Sequence, residues 1–233
     1  MLGKFFTLKG FTKRDYLLWG GSVTLILAAF FVFDRENFLS PLSSVIGVTS
    51  LIFIAKGNPL GQALTIVFSV FYGIISFSFS YYGEMITYLG MTAPMAGAAM
   101  VSWVRNPYKD SAEVSVNSLK PRGLWVMLPL AAAVTGAFYF LLKALGTANL
   151  LPSTVSVTTS FLAVYLLFRR SPFYALAYAA NDIVLIVLWS MAAAEDISYF
   201  SVLICFVVFL ANDIYGFISW IKMQKRQKCG CKL

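Results

Sequence analysis

Histidine is absent from this chain, and acidic residues are scarce, ten among 233. Without imidazole, the commonest metal ligand and the commonest general base are both missing. Three cysteines remain: Cys205 in an apolar run, and Cys229 and Cys231 in a basic tail. They fit no disulfide framework. A Cys-x-Cys pair has too few companion ligands here for a closed centre, so neither a metal nor a cofactor is expected. A G-x-x-x-x-G-K-[ST] string is also lacking, which argues against an ATPase domain and against primary pumping. Charged residues are 12% of the chain, against 59% hydrophobic and 16% aromatic. A soluble domain of this length cannot bury that much apolar surface, so much of it must face lipid.

Hydropathy places spans near 16–33, 41–56, 60–82, 87–104, 123–145, 151–168, 172–193 and 197–220. Each approaches the ~20 residues a helix needs to cross about 30 Å of hydrocarbon. The first apolar run closes on no small-residue cleavage site and is expected to be retained. A net charge of +8 raises the question of a nucleic-acid partner, but its distribution argues instead for membrane orientation. With eight spans and both termini cytoplasmic, sixteen of the eighteen Lys and Arg residues fall inside, leaving Arg35 and Lys143 outside. Outer loops then take Asp34, Glu36, Glu84, Glu195 and Asp196.

Residues 41–106 and 152–222 run in parallel. Pro41 and Pro152 open the first helix of each set, and Val48-Thr49-Ser50 is echoed by Val157-Thr158-Thr159-Ser160. A basic turn ending in Asn58-Pro59 matches Arg169-Arg170-Ser171-Pro172, and the sets close on Trp103-Val104-Arg105 and Trp220-Ile221-Lys222. The expected fold is all-α and membrane-integral: 3+1+3 helices in two parallel three-helix repeats, plus one extra N-terminal helix. Its divisions are 1–40 (cytoplasmic N-terminus and extra helix), 41–106 (first repeat), 107–150 (loop and connector), 151–222 (second repeat) and 223–233 (basic tail).

Two strings, Ala180-Asn181-Asp182-Ile183 and Ala211-Asn212-Asp213-Ile214, put carboxylates at membrane depth. Such groups persist mainly where they face a bundle interior, a wet cavity or a substrate path. Trp189 follows Asp182 by seven residues on one helical face, and Trp220 stands in the same relation to Asp213. Asn212, Tyr215 and Ser219 share a neighbouring face. Together these groups suit a flat, polar, cationic ligand, with Trp189 the leading residue for stacking. The competing reading is that Asn and Asp hold helices together, the acids as glue or as a protonated pair. The first half offers Gln62, Ser69, Tyr72, Ser76, Ser78 and Ser80. Gly73, Gly90, Gly97 and Pro94 read as packing and kink residues. Trp103, Trp220, Tyr81, Tyr82 and Tyr88 read as interfacial aromatics.

Tyr72-Gly73-Ile74-Ile75, Tyr82-Gly83-Glu84, Pro94 with Gly97, and Trp103-Val104-Arg105-Asn106 resemble the first half of the PnuC vitamin transporters. Asn181-Asp182, Trp189 and Asn212-Asp213-Ile214-Tyr215-Gly216-Phe217-Ile218-Ser219-Trp220, followed by Lys222, resemble their second half. The likeness covers about residues 41–226. It implies a full-length relative of the SWEET transporters that takes up nicotinamide riboside across a bacterial inner membrane by facilitated diffusion, as a homo-oligomer, a trimer. Thiamine or riboflavin is the alternative cargo. A rival of another class is an intramembrane enzyme with Asp182 and Asp213 as its dyad, although neither acid lies in a Gly-x-Gly-Asp string.

Overall fold

The computed structural model describes residues 10–34, 38–78, 81–109, 111–118 and 121–230. Lys4, Lys9, Arg35, Glu36, Ser80, Lys120, Cys231 and Lys232, which enter the readings above, lie outside the described residues. The described chain is helical: α1 (Lys13–Phe33), α2 (Leu39–Ala55), α3 (Leu60–Ser78), α4 (Tyr82–Ile86), α5 (Ala93–Arg105), α6 (Pro121–Ala144), α7 (Leu150–Phe168), α8 (Tyr174–Glu195) and α9 (Phe200–Cys229). Six helices are long and apolar enough to cross a membrane, and α2 is a shorter apolar one. This is a multi-pass membrane protein.

A π-helical segment, Thr87–Thr92, joins α4 to α5 without breaking the rod. Its cause is local. Pro94 has no N–H to give, and the Ala93 N–H reaches back five residues to the Tyr88 carbonyl. The wide turn shifts the inward register by one residue, from Glu84, Tyr88 and Met91 before it to Thr92, Ala96, Ala99 and Trp103 after it.

Neighbouring helices form a ring. The order of contact is α2, α3, α4–α5, α7, α8, α9 and back to α2. Outside it, α1 packs on α2 and α9, and α6 packs on α7 and touches α4, most of its surface staying exposed. Close crossings need small residues. A Cβ on Gly47 of α2 would meet the Phe209 ring at 2.5 Å, and one on Gly73 of α3 would meet Leu89 at 2.6 Å.

Two turns share one hydrogen-bond pattern. After α2, Gly57 N–H donates to Ile54 O, Asn58 N–H to Phe53 O and Gly61 N–H to Asn58 O. After α7, Arg170 N–H donates to Leu167 O, Ser171 N–H to Leu166 O and Tyr174 N–H to Ser171 O. Gly57 and Arg170 both take a left-handed conformation, with φ of 65° and 58°. The 106–118 loop ties both turns down: Val114 N–H donates to Gly57 O and Asn117 N–H to Arg170 O. These turns, with Lys56, Arg169 and the start of α1, mark what we call the basic end.

Trp103 and Trp220, read from sequence as interfacial anchors, are instead fully buried at this end. The Trp103 indole N–H donates to Leu167 O at 3.2 Å, and that of Trp220 donates to Ile54 O at 2.8 Å. Each half thus plugs the carbonyl end of a helix in the other, and the two rings meet at 5.4 Å between centroids. Their polar N–H groups add a second bond to carbonyls of each helix's last turn, which already accept from the turn that follows, so no water is needed.

Candidate functional site

Buried polar side chains gather along the inside of the ring. Asn181 of α8 is held by a hydroxyl row on α7. Its Oδ1 accepts from Thr159 at 2.8 Å, Ser160 at 3.0 Å and Ser156 at 3.3 Å. Residues 156, 159 and 160 lie on one helical face, which is why three hydroxyls converge on one amide. The Ser156 hydroxyl also lies 2.7 Å from Glu84 Oε1 of α4. Glu84, placed in an outer loop by the sequence, is fully buried. Its Oε2 has no protein partner among the described residues. The correction has a physical reason: the rod of α4 starts five residues before the predicted span, and no Lys or Arg lies near enough in sequence to hold the carboxylate outside.

Nearer the end opposite the basic one, Trp189 donates its indole N–H to the Tyr72 hydroxyl at 3.0 Å, bridging α8 and α3. Tyr81 stands edge-on to Trp189 at 5.1 Å, and Tyr88 edge-on to Tyr72 at 4.4 Å. Tyr81 and Tyr88 are therefore core residues and not part of an interfacial belt. Phe68 and Phe206 complete this aromatic cluster around Tyr72. The cleft beside it, lined by Ser40, Ser43, Ser44, Phe68 and Cys205, encloses about 10 Å³, room for one water. The ring is closed here.

On α3, Gln62, Ser69 and Ser76 recur every seven residues, all fully buried. Neither polar atom of Gln62 has a protein partner among the described residues, nor has the Ser69 hydroxyl or that of Thr87 in the π segment. Asp182 and Asp213 face each other across α8 and α9 within hydrogen-bonding range.

The ring interior thus holds Trp189, Tyr72, Asn181, Gln62, Asp182 and Asp213. Asn212 and Tyr215 point elsewhere. The Asn212 amide donates to Ser22 of α1 at 2.9 Å, and the Tyr215 hydroxyl donates to Asp15 of α1. Asp15 also pairs with Lys56 at 2.7 Å. Ser219, on the same face, donates to Ala55 O at 2.7 Å. The sequence reading joined these groups to Trp189 in one volume, whereas the structure turns them toward α1 and α2. Sequence reasoning missed Glu84 and the α7 hydroxyls. The signals were the isolated Tyr82-Gly83-Glu84 string and a Ser/Thr face at spacings of three and four inside an apolar helix.

Comparison with known proteins gives this arrangement its context. The Nicotinamide mononucleotide transporter family matches residues 37–222. The chain belongs to this family. Members are transporters, which leaves no support for the dyad enzyme. Among curated proteins, the Nicotinamide riboside transporter PnuC of Neisseria mucosa is 28% identical over 209 residues, covering 86% of this chain and 78% of that one. The protein of the same name from Haemophilus influenzae is 22% identical over 198 residues, covering 84% of each. A solved structure titled the Vitamin B3 transporter PnuC matches in fold with a TM-score of 0.83, at 22% identity and 97% coverage of both chains.

Proposed function

We propose that this family member carries nicotinamide riboside across a bacterial inner membrane by facilitated diffusion, with both termini cytoplasmic and without a resident cofactor. The single observation that carries the cargo assignment is the acidic lining of the interior. Glu84, Asp182 and Asp213 are buried inside the ring, while no Lys or Arg among the described residues is buried. A pyridinium ribosyl cation meets carboxylates and ring faces there. A phosphate monoester would be buried beside acids with no counter-cation, at a cost of several kcal/mol. That argument favours the riboside in the relatives' names over the mononucleotide in the family's description. Thiamine, also a cation, is the second cargo to test.

We assign the indole face of Trp189 and the phenol rings around it to the pyridinium. The amide of Asn181 and the free acceptors and donors of Glu84, Gln62 and Ser69 take the carboxamide and ribose hydroxyls. Tyr215 and Asn212 act indirectly, by holding α9 to α1 beside the site. The working architecture is two three-helix repeats, 41–106 and 151–222, joined by a connector in 107–150, with eight spans in all. What supports it is the reciprocal plugging by Trp103 and Trp220 and the shared turn pattern at Gly57 and Arg170. Alternating access then means rocking one repeat against the other around the enclosed polar groups. We place the carrier in the membrane as a homo-oligomer, a trimer.

Liposomes containing purified protein should take up labelled nicotinamide riboside saturably, with and without a proton gradient. Unlabelled riboside should compete, and the mononucleotide should not. Equal competition by the mononucleotide overturns the charge argument, and stronger competition by thiamine changes the cargo.

A further inference from the structure

The basic end carries a second cavity, separate from the ring interior. It measures about 610 Å³ and lies where the start of α1, the turn after α2 and the far part of α9 meet. Five cations line it: Lys13 and Arg14 from α1, Lys56 from the turn, and Lys222 and Arg226 from α9. Two of the five are already engaged. Lys56 pairs with Asp15 and Arg226 with Glu113. Lys13, Arg14 and Lys222 take part in neither pair, so the cavity keeps an excess of positive charge.

The positive-inside tendency explains cations near one membrane face but not their convergence on one concavity. Residues 215, 218, 219, 222 and 226 stand on one side of α9, which continues past the turns to Cys229 and so forms a wall above them. Tyr215 and Ile218 give that wall an apolar base, and its volume falls within the range of small-molecule sites. Lysine and arginine at a concave site, with low-dielectric walls, concentrate the field on an anion.

We propose that this cavity is a binding site for a phosphate monoester or diester, of nucleotide size or in a lipid headgroup. Lys56 is its link to the carrier. It faces the cavity and also holds Asp15, which in turn holds Tyr215 of α9. An anion seated in the cavity competes with Asp15 for Lys56 and loosens the tie between α1 and the turn after α2. This assignment does not depend on which cargo crosses the ring.

The test uses the full chain in nanodiscs. Adenosine 5′-monophosphate is titrated by calorimetry in phosphatidylcholine discs, with adenosine as the uncharged control. Retention of phosphatidylglycerol against phosphatidylcholine is read by native mass spectrometry. The variant is Lys13→Gln/Arg14→Gln/Lys222→Gln, and the control is Lys225→Gln/Lys228→Gln, whose cations do not line the cavity. At least a tenfold weakening of the monophosphate in the variant, with the control unchanged, supports the site and makes its ligand a soluble ester. Loss of phosphatidylglycerol retention alone supports it with a lipid headgroup as ligand. Equal losses in variant and control, or no binding of either probe to the unmodified protein, overturn it. Lys222→Gln alone, on the exposed flank of α9, repeats the comparison should the triple variant fold poorly.

Discussion

Gly47 lies seven residues before Ile54, and Ser160 lies seven before Leu167; Phe68 follows Asn58 by ten, as Asn181 follows Ser171. Because the two turns share one pattern, these are corresponding places in the two halves. In the first, the Phe68 ring lies 3.0 Å from where a Gly47 Cβ would stand. In the second, the Asn181 amide accepts from Ser160 at 3.0 Å. The same helix-on-helix crossing is filled by an apolar ring in one half and by a hydrogen-bond socket in the other. The halves are thus alike in frame and unlike in chemistry. Such division suits a cargo with an aromatic face and a polar edge, since each half can serve one of them.

The strongest way to break this contrast is to convert one crossing into the other. Asn181→Phe alone should strand the Ser160 hydroxyl, at a cost of about 1–3 kcal/mol, and overfill the crossing as well, whereas Ser156 keeps Glu84 and Thr159 the carbonyls of its own helix. A fall in melting temperature of about 5 °C or more is expected, read in detergent with purified protein. Pairing it with Ser160→Gly copies the first half's solution and should restore much of the stability while leaving no riboside uptake. Uptake that survives in the double variant would remove Asn181 from the site.

Next in size is Glu84→Gln, which keeps the shape and the Ser156 contact but removes a buried group able to carry negative charge. A charge-assisted bond is worth about 1.5–3 kcal/mol, so riboside affinity should fall by about 10- to 100-fold. The reduced, uncharged dihydro form of the riboside should lose far less. Equal losses for the two forms would mean that Glu84 acts through packing and not through charge.

A smaller effect is expected where the halves touch. Trp189→Phe and Tyr72→Phe each delete the Trp189–Tyr72 hydrogen bond that joins α8 to α3, about 1 kcal/mol or roughly fivefold in affinity. The double variant should be no worse than either single one, because both remove the same bond. Additive losses, measured by calorimetry, would show that each ring contacts the ligand independently.

These residues also show what the sequence can and cannot disclose. Membrane class, the helical segments and the inward acids of α8 and α9 follow from hydropathy, charge placement and the cost of a carboxylate in lipid. The phase of the repeat does not. The sequence pairs Val48 with Val157, whereas the matched turns pair Val48 with Phe161, one helical turn away. An apolar helix moved by a turn presents nearly the same pattern, so composition cannot fix the register, while hydrogen bonds at a turn can. Burial of Trp103 and Trp220 escapes for a related reason. A tryptophan beside Arg or Lys near a helix end looks the same whether its N–H meets water or the carbonyl end of a helix distant in sequence. Asn212 and Tyr215 share a helix with Asp213 yet turn to α1, because one residue of offset rotates a side chain by about 100°.

The least perturbing test concerns α3, where Gln62 and Ser69, among the described residues, lack the protein partners that Asn181 has. Gln62 is fully buried, and among the described residues neither its oxygen nor its nitrogen is bonded to protein. A buried amide in that condition costs the fold about 1–3 kcal/mol, a cost that persists where function demands the group. Gln62→Leu should therefore leave the melting temperature unchanged or raise it by about 2–4 °C, and lower riboside uptake about fivefold. The two readouts move in opposite senses only when the amide serves the ligand. A lower melting temperature would instead reveal a structural partner for Gln62, and the contrast between a committed second half and an uncommitted first half would fail at α3.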